Sequence, residues 1–223
     1  MTEMQSQFPS ETLDRMKNCG VIAALVVDDA NNIVPLSRAL VACGIDCIEL
    51  ALQTSATIDA LRLVREQVPE MIVGVSTILQ PDQVDEVVSA GARFGAAPGL
   101  NLRVVERAKE KGLPFAPGIA TPSDIEQAIE LGCRELKLFP AEPLGGMRYL
   151  RTLSAPYAHL GLQFIPVGGL NADNMSAYLY DQTVLAIGGN WIAREEWITN
   201  QNWSAVIDNA TEARRNVQEL RAK

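Results

Sequence analysis

The 223-residue chain has one histidine, His159, and four scattered cysteines, Cys19, Cys43, Cys47 and Cys133, with no Cys-x-x-Cys pair. Ligands this sparse leave no zinc site in view. Cys43 and Cys47 instead read as small buried hydrophobes of a reducing compartment. His159 precedes a turn and reads as a surface residue, so proton transfer falls to carboxylates, lysines, hydroxyls or water. No basic run occurs, and the formal net charge is −8. That balance excludes nucleic acid and anionic membrane as partners and points to a small molecule. There is no apolar run of bilayer length, and the first ten residues include Thr2, Glu3, Gln5, Ser6 and Gln7, too polar for a signal peptide. A cytoplasmic protein is the expectation.

What the chain does have is apolar material, 48% of residues against 21% charged, enough for one sizeable core and a single domain over 1–223. A capped helix over 10–18 comes first, with Leu13 and Met16 at helical spacing. Short apolar runs then alternate with amphipathic ones. Strands are expected at 20–27, 47–52, 71–78, 94–97, 114–116, 135–139, 163–167 and 184–187. Helices are expected at 32–43, 56–68, 81–90, 102–111, 122–131, 146–153 and 172–180, and over about 203–221 at the tail. Eight such alternations in a chain of this length predict an α/β fold, a closed parallel (β/α)8 TIM barrel with an extra N-terminal helix; an open doubly wound sheet is the runner-up.

Charges interrupt two of the apolar strands. Alternation puts Glu135, Lys137 and Phe139 on one face of their strand, with Leu136 and Leu138 on the other. A lysine in the middle of a covered strand is either paired with an acid or held as a free amine, able to attack a ketone and form a Schiff base. Glu49, in Cys47-Ile48-Glu49-Leu50-Ala51-Leu52, shares its face with Cys47 and Ala51, while the bulky residues face the other way. In an eight-stranded barrel the second and sixth strands oppose each other, so Glu49 and Lys137 can converge, directly or through a water. A buried ion pair is weak evidence of stabilisation, and its presence points toward function.

A barrel builds its active site from the loops after its strands. Gln53-Thr54-Ser55, Ser76-Thr77, Pro98-Gly99, Gly118, Gly168-Gly169 and Gly188-Gly189-Asn190 occupy those places, whereas Gly44, Gly91, Gly112 and Gly132 read as helix stops at the opposite end. Glycine pairs after the last two strands offer backbone N–H groups to an anion. The series Gly74-Val75-Ser76-Thr77, Pro98-Gly99-Leu100, Pro117-Gly118, Lys137-Leu138-Phe139-Pro140-Ala141-Glu142, Gly168-Gly169 and Ile187-Gly188-Gly189 resembles the successive motifs of the 2-keto-3-deoxy-6-phosphogluconate (KDPG) / 4-hydroxy-2-oxoglutarate aldolases, in order and spacing from about Gly20 to Trp191. The resemblance implies a trimeric, cofactor-independent class I aldolase acting on a small anionic keto acid. It implies Lys137 as the Schiff-base lysine, Glu49 as the proton-transfer carboxylate and Thr77 as a ligand of the pyruvate carboxylate. Pro98 and Phe139 become pocket walls, and Gly168, Gly169, Gly189 and Asn190 hold a distal phosphate.

This chain departs from the family pattern at the periphery. Gln53 stands where many members carry an arginine that helps bind the substrate carboxylate; Val26-Val27-Asp28 stands where others carry one after the first strand. The family's Thr-Gly-Gly reads Val167-Gly168-Gly169, and its Gly-Gly-Ser reads Gly188-Gly189-Asn190. The leading expectation is cleavage of a 2-keto-3-deoxy sugar acid, phosphorylated or not, or of 4-hydroxy-2-oxoglutarate, to pyruvate and an aldehyde. A phosphate-binding isomerase or synthase without a Schiff base, and a silent keto-acid-binding relative, are the alternatives.

Overall fold

Among the described residues nine short strands, all paired in parallel, carry the site. They are β1 (Val21–Leu25), β2 (Cys47–Ala51), β3 (Ile72–Ser76), β4 (Phe94–Ala96), β5 (Phe115–Ala116), β6 (Gly118–Ile119), β7 (Glu135–Leu138), β8 (Gln163–Pro166) and β9 (Ile187–Gly189). Between and around them run α1 (Ser10–Cys19), α2 (Ile33–Ala42), α3 (Thr57–Gln67), α4 (Pro81–Ser89), α5 (Leu102–Glu110), α6 (Pro122–Glu130), α7 (Gly146–Ser154), α8 (Met175–Leu179), α9 (Glu195–Thr199) and α10 (Trp203–Arg221). This computed structural model describes residues 6–221; the first five residues of the polar start, read above as no signal peptide, lie outside the described residues. No helix among the described residues is long and apolar enough to cross a membrane.

The expected closed eight-stranded barrel is corrected by the hydrogen bonding. The strands form two separate sheets, a curled six-stranded one in the order β5-β4-β3-β2-β1-β9 and a three-stranded one in the order β6-β7-β8. One break falls at Pro117. Proline has no N–H to give a ladder and fixes its own φ, so the strand expected at 114–116 stops at Ala116 and a further two-residue strand, β6, begins past it. Ala116 then pairs with Ala96 in the larger sheet, and Gly118 pairs with Lys137 in the smaller. At the other margin only the isolated bridges Phe164↔Val184 and Val167↔Gly188 connect the sheets. The strand expected at 184–187 lies later, at Ile187–Gly189, where it pairs with Val21–Ala23.

Helix boundaries follow local chemistry. Pro122 opens α6, and Thr121 and Asp124 close a reciprocal capping box there. Asn101 accepts from Arg103 N–H at the start of α5. On α10 the buried Val206, Ala210, Ala213 and Val217 recur every three or four residues, so one stripe faces the core. Each of those valines contributes about 1.5–3 kcal/mol by leaving water. Met16 and Cys19 bury the inner side of α1, and Phe8 stacks at a tilt on Phe94, ring centroids 6.1 Å apart. Cys43 is only partly buried, unlike Cys47, because it ends α2 at the surface beside Thr211. His159 is exposed in the short 3-10 segment Ala155–Leu160.

Candidate active site

Lys137 Nζ donates to Glu49 Oε1 at 2.6 Å. The two side chains are 6% and 4% exposed and reach each other from different sheets. Their ladder neighbours explain how they fit. Glu49 lies in register with Ala24 and Gly74, and Lys137 with Gly118 and Ile165. Parallel neighbours in register point to the same face; Ala24 leaves room beside Glu49, whereas the Phe94 ring fills the place a Gly74 side chain would take and the Pro98 carbonyl fills that of Gly118.

The room is a cavity of about 410 Å3 at the C-terminal ends of the strands. Glu49 and Lys137 form its floor. Gln53 follows β2 at the exposed rim, Thr77 follows β3, Pro98 follows β4 and Phe139 follows β7. Gly168 and Gly169 follow β8, Gly189 ends β9, and Asn190 comes next. All ten residues singled out from the sequence therefore line one space. Among the described residues lining it, Lys137 and Glu49 are the only charged ones. The remaining wall is largely apolar, from Ala24, Leu25, Val26, Ala51, Val167 and Leu170, with Ser76 beside Thr77. These were not singled out individually. Ala24 and Val26 could have been, since alternation along the strand expected at 20–27 puts them on the same face.

Backbone details tighten the site. Thr77 leaves β3 at φ +62°, a left-handed conformation rare for a β-branched residue, with strain on the order of 1–3 kcal/mol. Gly118 admits no side chain: a Cβ there would lie 2.2 Å from the carbonyl of Pro98. The loop bearing Pro98 therefore rests directly on β6, and Gly118 N–H donates to Gly99 O at 3.2 Å. Gly168 and Gly169 both have positive φ, +100° and +85°, a succession glycine adopts without steric cost.

Other titratable groups stay out of the chemistry. Cys47, two residues before Glu49 on the same face, is fully buried, and burial pushes its thiol well above its ordinary value, so it remains protonated and inert. Glu135, two residues before Lys137, accepts from the Ser6 hydroxyl at 2.8 Å, and burial holds its carboxyl above the usual range. Among the described residues no group of three or more His, Cys, Asp or Glu side chains is placed to hold a metal.

An amine and a carboxylate in direct contact at the base of a cavity can exchange a proton. The amine left after such a transfer is a nucleophile, and the acid beside it can return the proton to a departing oxygen. Comparison with known proteins bears on this arrangement. Residues 13–209 match the family model described as KDPG and KHG aldolase. The chain is similar to 2-dehydro-3-deoxy-phosphogluconate aldolase of Dickeya dadantii, 35% identical over 86% of this chain and 90% of that protein. It is also similar to KHG/KDPG aldolase of Escherichia coli K12, 36% identical over the same shares. Among solved structures it resembles KDPG aldolase from Legionella pneumophila, with pyruvate captured as a covalent carbinolamine. That likeness has a TM-score of 0.85 and 32% identity, covering 90% of this chain and 97% of that one.

Proposed function

The chain belongs to the KDPG and KHG aldolase family, and from that premise we propose that it is a class I aldolase that cleaves a 2-keto-3-deoxy sugar acid, or 4-hydroxy-2-oxoglutarate, through an imine on Lys137. The observation that carries the assignment of residues is the 2.6 Å contact between Lys137 Nζ and Glu49 Oε1 at the floor of the cavity. Glu49 takes a proton from Lys137, and the free amine adds to the C2 ketone to give a carbinolamine. Glu49 returns the proton to the new hydroxyl, which leaves as water, and an iminium remains. Glu49 then accepts the C4 hydroxyl proton as the C3–C4 bond breaks. The bond electrons move into the iminium, the aldehyde departs, and an enamine is left. Protonation at C3 and hydrolysis release pyruvate and restore the amine. The iminium is the electron sink, so the reaction calls for no metal or organic cofactor.

Around that step, Thr77 and Gln53 receive the substrate carboxylate, Pro98 and Phe139 enclose the reacting carbons, and Gly168, Gly169, Gly189 and Asn190 hold the distal end. The assembly is taken to be a cytoplasmic homotrimer. Exposed Leu79, on the loop after β3, and Leu102, which opens α5, stand on segments joined by Asn101 Nδ2 donating to Leu79 O at 3.1 Å and support a subunit contact. Light scattering reads the assembly directly.

The test of the chemistry is intact mass after pyruvate and borohydride. The wild type gains one reduced pyruvate, mapped to Lys137. Lys137→Arg gains none and has no turnover, because guanidinium stays protonated. A wild type that cleaves substrate yet is never trapped refutes the imine.

A further inference from the structure

Glu142 closes the Lys-x-Phe-Pro-Ala-Glu motif, and none of the steps above uses it. Its surroundings form a clamp on the loop after β8. Ala141 N–H donates to Val167 O at 2.8 Å, and Glu142 N–H donates to Gly168 O at 3.0 Å. In a trans peptide the C=O and the following N–H point in opposite directions. Fixing the carbonyls of Val167 and Gly168 toward the 141–142 segment therefore turns the N–H groups of Gly168 and Gly169 away from it.

The side chain of Glu142 secures the same loop from beneath. A Cβ on Gly169 would lie 2.6 Å from Glu142 Cβ, so the glycine rests directly on that chain. The Glu142 carboxylate accepts from the hydroxyl of Tyr178, a residue of α8 that is 1% exposed. The same oxygen lies 3.0 Å from where a Cβ on Gly146 would be, at the start of α7. A carboxylate there also meets the positive end of a helix. Burial and the neighbouring carboxylate push the Tyr178 hydroxyl above its ordinary pKa, which keeps it a donor.

We propose that Glu142, with Tyr178, is a positioning residue that holds the Gly168–Gly169 amides in the orientation needed to grip the distal, anionic end of the substrate. The proposal rests on the aldolase reading and deepens it, since it concerns only the part of the substrate that leaves as aldehyde. Pyruvate lacks the carbons that leave as aldehyde. Glu142 therefore governs binding of the full keto acid and is silent toward pyruvate alone.

The experiment compares two reactions in wild type, Glu142→Ala, Glu142→Gln and Tyr178→Phe. One is cleavage of 2-keto-3-deoxy-6-phosphogluconate; the other is solvent exchange of the pyruvate methyl protons, which needs only the imine and its enamine. In Glu142→Ala the KM for cleavage is expected to rise roughly ten- to hundredfold, the scale of a misplaced binding group. Pyruvate exchange should stay within about twofold, since the Lys137 imine is untouched. Glu142→Gln keeps an acceptor for the tyrosine and should recover most of the KM. Should Glu142→Ala fail to fold, Tyr178→Phe, which removes one hydroxyl, decides the matter with a smaller KM increase. An unchanged KM, or exchange falling by the same factor as cleavage, overturns the clamp. A wild type that exchanges no pyruvate protons overturns the aldolase reading itself.

Discussion

Replacing Glu49 by glutamine separates catalysis from architecture, because shape is retained while one charge and one proton site are lost. The carboxylate lies 2.6 Å from Lys137 Nζ, and both side chains are almost wholly buried. Removing one partner of a buried pair costs about 3–5 kcal/mol. Glutamine still offers an acceptor oxygen to Nζ, so the low end of that range applies. In a chain of this size about 3 kcal/mol corresponds to a fall in Tm of roughly 6–12 °C. Activity should fall much further, by about 10²–10⁴ in kcat, because protons must move at imine formation, at cleavage and at enamine protonation. The assay is turnover normalised to folded protein, alongside a thermal melt and the rate of pyruvate trapping by borohydride. Glu49→Asp, which restores the charge one methylene short, should recover part of kcat. If Glu49→Gln melts lower yet turns over at the wild-type rate per folded molecule, the carboxylate serves only to balance Lys137, and the mechanism is wrong.

Gln53→Arg should lower KM for keto acids roughly five- to tenfold, since a charged hydrogen bond exceeds a neutral one by about 1 kcal/mol; an unchanged KM shows that another donor already holds the carboxylate. Gly118→Ala should push the Pro98 loop off β6 and reduce kcat/KM while Lys137 is still trapped by pyruvate, because the added carbon has no space beside the Pro98 carbonyl. Glu135 has its folded-state pKa raised, chiefly by burial. The native state therefore holds that proton more tightly than the unfolded chain, and this contribution to stability is complete below the unfolded pKa and lost as pH rises through the folded one. Glu135→Gln should accordingly raise Tm at neutral pH and flatten the pH dependence in the mildly acidic range; a Tm that falls equally at all pH values contradicts the sign.

Several features of the site can be read from the sequence because they depend on local periodicity. Alternation along Cys47–Ala51 and Glu135–Leu138 turns Glu49 and Lys137 away from the bulky faces of their strands, and both do line the cavity. Their direct contact depends on how the two sheets carrying β2 and β7 face each other, which is a property of the assembled fold and not of either strand alone. The closed barrel fails for a related reason. Pro117 is visible in the sequence, but the assignment of Ala116 and Gly118 to different sheets is a long-range outcome. The apolar run at 184–187 has strand composition, yet the ladder forms at Ile187–Gly189, because those positions are the ones that pair with Val21–Ala23. The five-residue α9 is too short to show a helical period. Glu142 and Tyr178 are 36 positions apart, and no local pattern joins them.

The charge carried by the cavity constrains how the reaction can proceed. With Lys137 and Glu49 as its only charged lining residues among those described, the site is close to neutral when the pair is ionised. An incoming keto acid adds a negative charge that no second cation meets. On the proposed reading it is held by neutral donors, the Thr77 hydroxyl, the Gln53 amide and backbone N–H groups, each worth less than a charged partner. Imine formation then changes the balance. In the proposed mechanism the nitrogen of Lys137 becomes a fixed cation adjacent to the substrate's own carboxylate, so the charge that the walls leave uncompensated is met from within the adduct. Binding before the covalent step is accordingly the weak link, and the covalent adduct is the tight complex. In such a site a cation added at the rim, as in Gln53→Arg, acts mainly on KM, while a change at Glu49 acts mainly on kcat.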